Sequence, residues 1–383
     1  MFAHTADLIA TDEALDLAVQ RLATAESLAF DTEAASFHRY IDRVYLVQIS
    51  SPSETVLVDP LAVSDLAPVG RLLEDPDIEA VFHDADYDLR TLDRDYGFRA
   101  TKLFDTRIAA QMADEEGVGL AALLEKHFDV RLNKKYQRAD WSLRPLTDEM
   151  IAYAAADTVH LIELKNVLNA KLTDLGRHDW ATEEFARLEH VRWTVSDDEE
   201  PFLRIKGAGI LKPRHRAVLR EVHQWRDQTA RALDRAPFRV VTNAVLTDIA
   251  TAGLMDPTQL TNIRGFPRSG AARGWIPEIL AAVSRGLELP DDQLPQTKRS
   301  QRPPRDPVYD RRLDKLKELR NRRAVEIGID PGLLCPNGTL QAIAREAGTG
   351  QVTLTAIPEL RTWQRKVLGD GELLAATVLD SEP

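Results

Sequence analysis

At 383 residues the chain is too long for one ordinary hydrophobic core, so two or three domains are expected. Its 44% hydrophobic and 29% charged content is that of a soluble globular protein, and no apolar run approaches the roughly 20 residues with which a helix spans a bilayer. The net charge of −12 hides an asymmetry: residues 1–200 carry −20 and residues 201–383 carry +8, as suits an acidic, metal-dependent half joined to a half that collects a polyanion.

The opening residues, Met1 to Asp7, lack the basic start and apolar core of a signal peptide. The lone cysteine, Cys335, cannot form an internal disulfide, and a cytoplasmic location is expected. The apolar run Ser27-Leu28-Ala29-Phe30 predicts a strand over Ser27–Glu33 that ends in Asp31-Thr32-Glu33. Residues two apart on a strand share a face, so Asp31 and Glu33 can share one cation. Val44–Ile49 and Thr55–Val58 are the next strands; links such as Ser50-Ser51-Pro52-Ser53 are too short for helical crossovers and imply antiparallel neighbours.

Ala80–Phe82 predicts a further strand, after a helix, and leads into His83-Asp84-Ala85-Asp86-Tyr87-Asp88-Leu89 and a helix over Tyr87–Tyr96. Helices are then predicted at Asp105–Met112, Leu120–Phe128 and Thr147–Leu175. In the last of these, the four-residue spacing of Tyr153 and Asp157 puts both on one face. This is a mixed α/β sheet rather than a dinucleotide fold, since no Gly-x-Gly-x-x-Gly or phosphate-loop lysine is present. Hard oxygen ligands from three separate elements, without a His or Cys cluster, suit Mg²⁺ or Mn²⁺ and argue against zinc.

Past the acidic stretch Thr194–Pro201 the chain turns helical, basic and repetitive. A shift of 94 positions superposes Leu219 on Leu313, Arg226 on Arg320, Ala230 on Ala324, Pro237 on Pro331, Leu246 on Leu340 and Ile249 on Ile343, without a gap. Agreement at helix-spaced apolar positions predicts two copies of one small helical domain. The expected division is residues 1–193 for the α/β domain, 194–208 a linker, 209–289 the first helical domain, 290–307 a proline-rich basic linker and 308–383 the second helical domain. Two weak nucleic-acid modules on one tether gain avidity. Arg214, Arg216, Arg220 and Arg226 form a basic run beside Trp225 from which phosphate contacts are expected, Arg216 and Arg220 foremost. Trp141 and Arg144 are expected to border the substrate, since aromatic faces stack on bases and Arg pairs with phosphate.

The ordered set of motifs resembles the ribonuclease D family, in the tyrosine branch of the Asp-Glu-Asp-Asp exonuclease superfamily. Phe30-Asp31-Thr32-Glu33 matches the first exonuclease motif, His83 to Leu89 the second and Tyr153-Ala154-Ala155-Ala156-Asp157 the third. Leu46-Val47-Gln48-Ile49, Phe104-Asp105-Thr106 and Asp140-Trp141 with Arg144-Pro145-Leu146 support the match. The repeated module resembles the HRDC domain (helicase and RNase D C-terminal). The resemblance implies a ribonuclease H-like mixed-sheet exonuclease domain followed by two small helical HRDC bundles.

It further implies 3′→5′ exoribonuclease chemistry with two divalent cations, Mg²⁺ or Mn²⁺, and RNA as partner, with transfer-RNA precursors bearing a free 3′ end as substrate; the oligomeric state is not given by the sequence, with a monomer favoured. Asp31 would bridge both ions, Glu33 and Asp157 would complete one ion's site, Asp88 would hold the second, and Tyr153 would orient the attacking water. The second motif is unusually acidic; alignment through His83 and Asp88-Leu89 selects Asp88, with Asp84 and Asp86 beside it. The rival readings are a DNA exonuclease of the same superfamily and a non-catalytic nucleic-acid-binding protein on the same fold.

Overall fold

The computed structural model describes residues 6–194, 200–253, 256–268, 270–296, 306–348 and 352–378. Parts of both expected linkers, residues 195–199 and 297–305, therefore lie outside the described residues.

The first domain opens with β1 (Asp7–Ile9) and α1 (Asp12–Leu22), where Thr11 accepts the Ala14 N–H and satisfies one of the orphan amides at the helix start. β2 (Ser27–Ala34), β3 (Val44–Ser50) and β4 (Thr55–Val58) follow as antiparallel neighbours. α2 (Ala67–Glu74), β5 (Glu79–Phe82), α3 (Asp86–Tyr96), β6 (Leu103–Asp105), α4 (Thr106–Met112) and α5 (Leu120–Phe128) come next. α6 (Asp148–Thr158), α7 (Leu161–Asp174) and α8 (His178–Leu188) complete the domain.

The six strands form one mixed sheet in the order β1-β4-β3-β2-β5-β6, with β2 parallel to β5 and β5 parallel to β6. β3 and β4 are buried along their whole length, as strands covered on both faces must be. Pairing of β2 with β5 stops at Ala29↔Val81, while β2 runs on to Ala34 beside β3. The acidic half of β2 thus overhangs β5, leaving room for another element beside it.

Three details differ from the sequence expectation. β1 and β6, three residues each, are too short to carry an alternating pattern. The helix expected over Thr147–Leu175 is two, broken at Val159 and His160. The break lets α6 lie on β2, β3 and β4 while α7 turns to β2, β5 and α4. Thr158, at the end of α6, is buried and shares a 2.7 Å hydrogen bond with the Ser50 hydroxyl of β3.

The helical half contains α9 (Pro213–Ala232), α10 (Pro237–Val240), α11 (Asn243–Ala252), α12 (Pro257–Asn262) and α13 (Gly270–Glu288). Then come α14 (Pro307–Ile327), α15 (Pro331–Leu334), α16 (Asn337–Glu346), α17 (Thr362–Leu368) and α18 (Asp370–Thr377). α14, α15 and α16 begin 94 residues after α9, α10 and α11. α13 packs against α9 so closely at Gly286 that a Cβ there would come within 2.5 Å of the Val218 Cα. The second bundle shares one continuous apolar core with the sheet domain, whereas the first has its own core, against which Tyr40 of the sheet domain packs.

Candidate metal centre

Asp31 and Glu33 lie on the overhanging end of β2, and α6 crosses that end carrying Asp157. One carboxylate oxygen from each of Asp31, Glu33 and Asp157 lies within 4.8 Å of the other two. The fourth acid arrives from the β5 side. Asp84, in the left-handed region at φ 70°, turns the chain after β5 so that α3 starts beside the overhang. Asp105, at the start of α4, accepts the Ala85 N–H at 2.8 Å and anchors that turn. Asp88 is consequently buried in the first turn of α3, where the Thr32 hydroxyl donates to it at 2.5 Å.

Of the three acids in the second motif only Asp88 faces the cluster. Asp84 is exposed and pairs with Arg107 at 3.4 Å, and Asp86 is exposed and pairs with Arg90 at 2.7 Å. His83 shapes the same turn: its Nδ1 donates to the Thr106 hydroxyl at 2.9 Å, which itself donates to the Phe82 carbonyl. Burial lowers the His83 pKa to about 4, so the ring is neutral.

Burial, then repulsion from Asp88, Asp157 and Glu33, raises Asp31 well above the usual carboxylate range. Glu33 is raised by burial and then by Asp157 and Asp88. Burial pushes Asp88 and Asp157 up to about 7 each, against the opposing hydrogen bonds from Thr32 and Tyr153. Among the described residues no Lys or Arg pairs with any of the four acids. A set of carboxylates that is buried at Asp88 and half-buried at Asp31, Glu33 and Asp157, lacking a protein cation and all hard oxygen donors, fits divalent metal binding of the Mg²⁺ or Mn²⁺ type.

Tyr153 lies one helical turn before Asp157, with its hydroxyl close enough to that carboxylate for each to shift the other's titration. Burial and then the charges of Asp157, Glu33 and Asp31 raise its pKa further above the ordinary value. Its ring lies 6.0 Å from that of Trp141 and 6.1 Å from that of Tyr136. A groove of 510 Å³ opens beside it, lined by Leu132, Lys135, Tyr136, Glu149, Tyr153 and Asp157 among others.

The substrate contacts expected from sequence are mostly placed elsewhere. Trp141 is 1% exposed and packs with Tyr45, Leu57 and Met150 under α6, so it positions Tyr153 rather than meeting a base. Arg144 grips Asp59 with two 2.6 Å hydrogen bonds and donates to the carbonyls of Tyr45, Trp141 and Leu143, leaving it committed within the domain. Arg216 and Arg226 are buried in the first bundle. Arg226 donates to the Val241 carbonyl at 3.1 Å and to Asn243 Oδ1 at 2.7 Å. Arg214 bonds the Leu289 carbonyl and Asp291, while partly exposed Arg220 leans on Glu221 at 3.3 Å.

Two residues near the acids had no role in the sequence reading. Thr32 is the donor to Asp88, and Gln48, directly across from Asp31 in the β2–β3 register, donates to it at 3.3 Å. A glutamine inside the run Val44-Tyr45-Leu46-Val47-Gln48-Ile49 was the available signal for Gln48.

A family model described as a 3′-5′ exonuclease matches residues 7–173, and an HRDC domain model matches residues 215–283 and again 310–376. The ribonuclease D of Gluconacetobacter diazotrophicus is 33% identical over 369 residues, covering 96% of this chain and 91% of that protein. The crystal structure of Escherichia coli RNase D, an exoribonuclease involved in structured RNA processing, superposes with a TM-score of 0.72 at 26% identity, over 97% of this chain and 98% of that one. The catalytic core of RRP6 from Trypanosoma brucei gives 0.67 at 28% identity, over 75% and 81%.

Proposed function

The chain belongs to the ribonuclease D family and is a 3′→5′ exoribonuclease, and on that premise we propose that Asp31, Glu33, Asp88, Tyr153 and Asp157 carry its chemistry. Asp31, Glu33 and Asp157 would hold one divalent cation, and Asp88 with Asp31 a second, Mg²⁺ or Mn²⁺ in each case. Bound there, the pair supplies an acidified water and offsets charge on the phosphodiester and its leaving 3′-oxygen. Tyr153 orients the attacking water through its hydroxyl, since a phenol titrating near or above about 10 is a poor base at neutral pH. Glu33 also meets the terminal ribose hydroxyl, which makes a free 3′ end a requirement, and nucleoside 5′-monophosphates leave one at a time. The physiological substrate is the 3′ end of transfer-RNA precursors, and the enzyme works as a cytoplasmic monomer. Among the described residues no helix is long and apolar enough to cross a membrane. The domain division is residues 1–193 for the exonuclease and 209–289 and 308–383 for the two HRDC bundles, with the expected linkers at 194–208 and 290–307 shortened: Phe202, Ile205 and Ala208 are buried in the first bundle's core, and α14 already begins at Pro307.

The observation that carries this reading is the overhang of β2, which brings Asp31 and Glu33 within 4.8 Å of Asp157 and places Thr32 on Asp88. The test is digestion of a 5′-labelled precursor transfer RNA and of matched RNA and DNA oligonucleotides with Mg²⁺ or Mn²⁺, resolved at single nucleotides. Wild-type protein shortens RNA stepwise from its 3′ end, while Asp31→Ala and Asp157→Ala proteins bind RNA and leave it intact. Metal-dependent degradation by purified Asp31→Ala protein overturns the assignment, and preference for the DNA strand selects the DNA-exonuclease reading.

A further inference from the structure

The loop that follows β2 leaves the metal centre and meets the first helical bundle, and at that junction two aromatic rings stay half open to solvent. Phe37 of the loop is 41% exposed and Phe238 of α10 is 48% exposed. Their ring centroids are 6.1 Å apart with an edge-to-face angle of 77°. The exposed Arg138 guanidinium lies 5.0 Å over the Phe37 ring, and exposed Arg239 donates to the Phe37 carbonyl. The nearby carboxylates of Asp140 and Asp234 are both taken by Arg39, at 3.6 and 3.3 Å, which leaves Arg138 and Arg239 to face an incoming anion.

A short stretch of chain links this patch to Lys135 and Tyr136, which line the groove at the metal centre. Tyr136 stands at the edge of the Tyr153 ring, and Arg138 is two residues further on, within about 7 Å along the chain. Arg138 is tied back to the loop by a 2.9 Å hydrogen bond between its carbonyl and His38 Nε2. The path from metal centre to bundle therefore presents aromatic and cationic groups alternately: Tyr136 with Lys135 stacked on it at 4.7 Å, then Phe37 with Arg138, then Phe238 with Arg239. Unpaired bases stack on such aromatic and guanidinium faces while arginines take the phosphates, and a duplex offers no free base face for this.

We infer that Phe37 and Phe238, with Arg138 and Arg239, form a single-strand RNA platform shared by the exonuclease domain and the first helical bundle, which holds the nucleotides just 5′ of those in the metal centre. The inference rests on the exoribonuclease reading for the direction of the strand, but its test is a binding measurement independent of cleavage. Affinities for a trinucleotide and for a longer unstructured oligoribonucleotide are measured on the full chain by fluorescence anisotropy, with chelator present. Wild-type affinity rises with length, and Phe37→Leu/Phe238→Leu protein, which keeps apolar bulk at the junction, loses about tenfold of that gain. Arg138→Gln and Arg239→Gln each flatten the salt dependence. An unchanged gain overturns the platform, and so does an equal loss for both lengths, which would make the pair packing that props the metal centre. Failure of wild-type protein to digest RNA in the presence of metal sinks the exoribonuclease reading instead, and leaves the binding result to decide the platform.

Discussion

Tyr153 is held between the rings of Trp141 and Tyr136, with Asp157 one helical turn on beside its hydroxyl. Such a fixed phenol can aim a water without donating or taking a proton itself. Replacing Tyr153 with Phe keeps the ring packing and removes only the hydroxyl. We expect kcat to fall about 10–100-fold, with KM nearly unchanged, in steady-state digestion of an unstructured oligoribonucleotide. Turnover equal to wild type would exclude the orienting role. Around the acids, Thr32 and Gln48 perform the same kind of work from below, each donating to one carboxylate and fixing its rotamer. Residue identities at this site were legible because strand and helix periodicities are short-range properties. Asp88 was selected over Asp84 and Asp86 only through the family resemblance; its physical ground, the turn at Asp84 and the burial of Asp88, is encoded by no local periodicity.

At the scale of elements, the two bundles show how a charged residue can be read wrongly from sequence. Arg226 of α9 and Arg320 of α14 are both buried, and each donates to a backbone carbonyl at 3.1 Å and to an asparagine Oδ1 at 2.7 Å. The acceptors, Val241 and Asn243 in one bundle and Cys335 and Asn337 in the other, sit at the same 94-residue offset. Each arginine therefore ties its long first helix to the start of the short helix two elements on. A basic run on a helix predicts a solvated or nucleic-acid-facing surface, and Arg216 and Arg226 break that expectation because their stems fill the interior. The clue was present: Arg226 recurs at Arg320 among apolar core matches, where a surface residue has no reason to persist. Arg226→Leu and Arg320→Leu should each cost about 2 kcal/mol in denaturant unfolding, since the carbonyl and the asparagine are left buried without a donor. A loss under a few tenths of a kcal/mol would show that water replaces the clamp.

For the whole molecule, the bundles are seated on the sheet domain by different means. The first holds the loop after β2: the Tyr40 hydroxyl donates to Asp227 at 2.9 Å, Arg231 lies 5.1 Å over the Tyr40 ring, and the Ala236 N–H donates to the His38 carbonyl at 3.1 Å. The second sits on α8, where Trp180 and Trp363 stack at 5.2 Å. Glu183 accepts the Thr362 and Trp363 amides at the start of α17, so one domain caps a helix of another. Glu184 accepts from Arg361 at 3.2 Å and from Trp363 Nε1 at 3.0 Å. Trp363→Ala should remove about 3 kcal/mol from this seat and split a single calorimetric transition into two. One unchanged transition would mean that the second bundle is held without the tryptophan pair. The repeat and its offset were readable because core spacing survives duplication. Docking was not, because it depends on pairs such as Trp180 with Trp363 that lie far apart in the chain.

The shared offset has a consequence for how the two bundles could have come to differ. At the positions where the first bundle offers Asp227, Arg231 and Phe238 to the sheet domain, the second carries Asn321, Val325 and Gly332, and Val325 is 82% exposed. The buried positions of their first three helices have kept the offset while their seats have not. A chain with the two bundles transposed would leave Phe37 facing Gly332, with no ring to meet. Order along the polypeptide has thereby become part of the architecture, and the second copy is no longer a spare for the first.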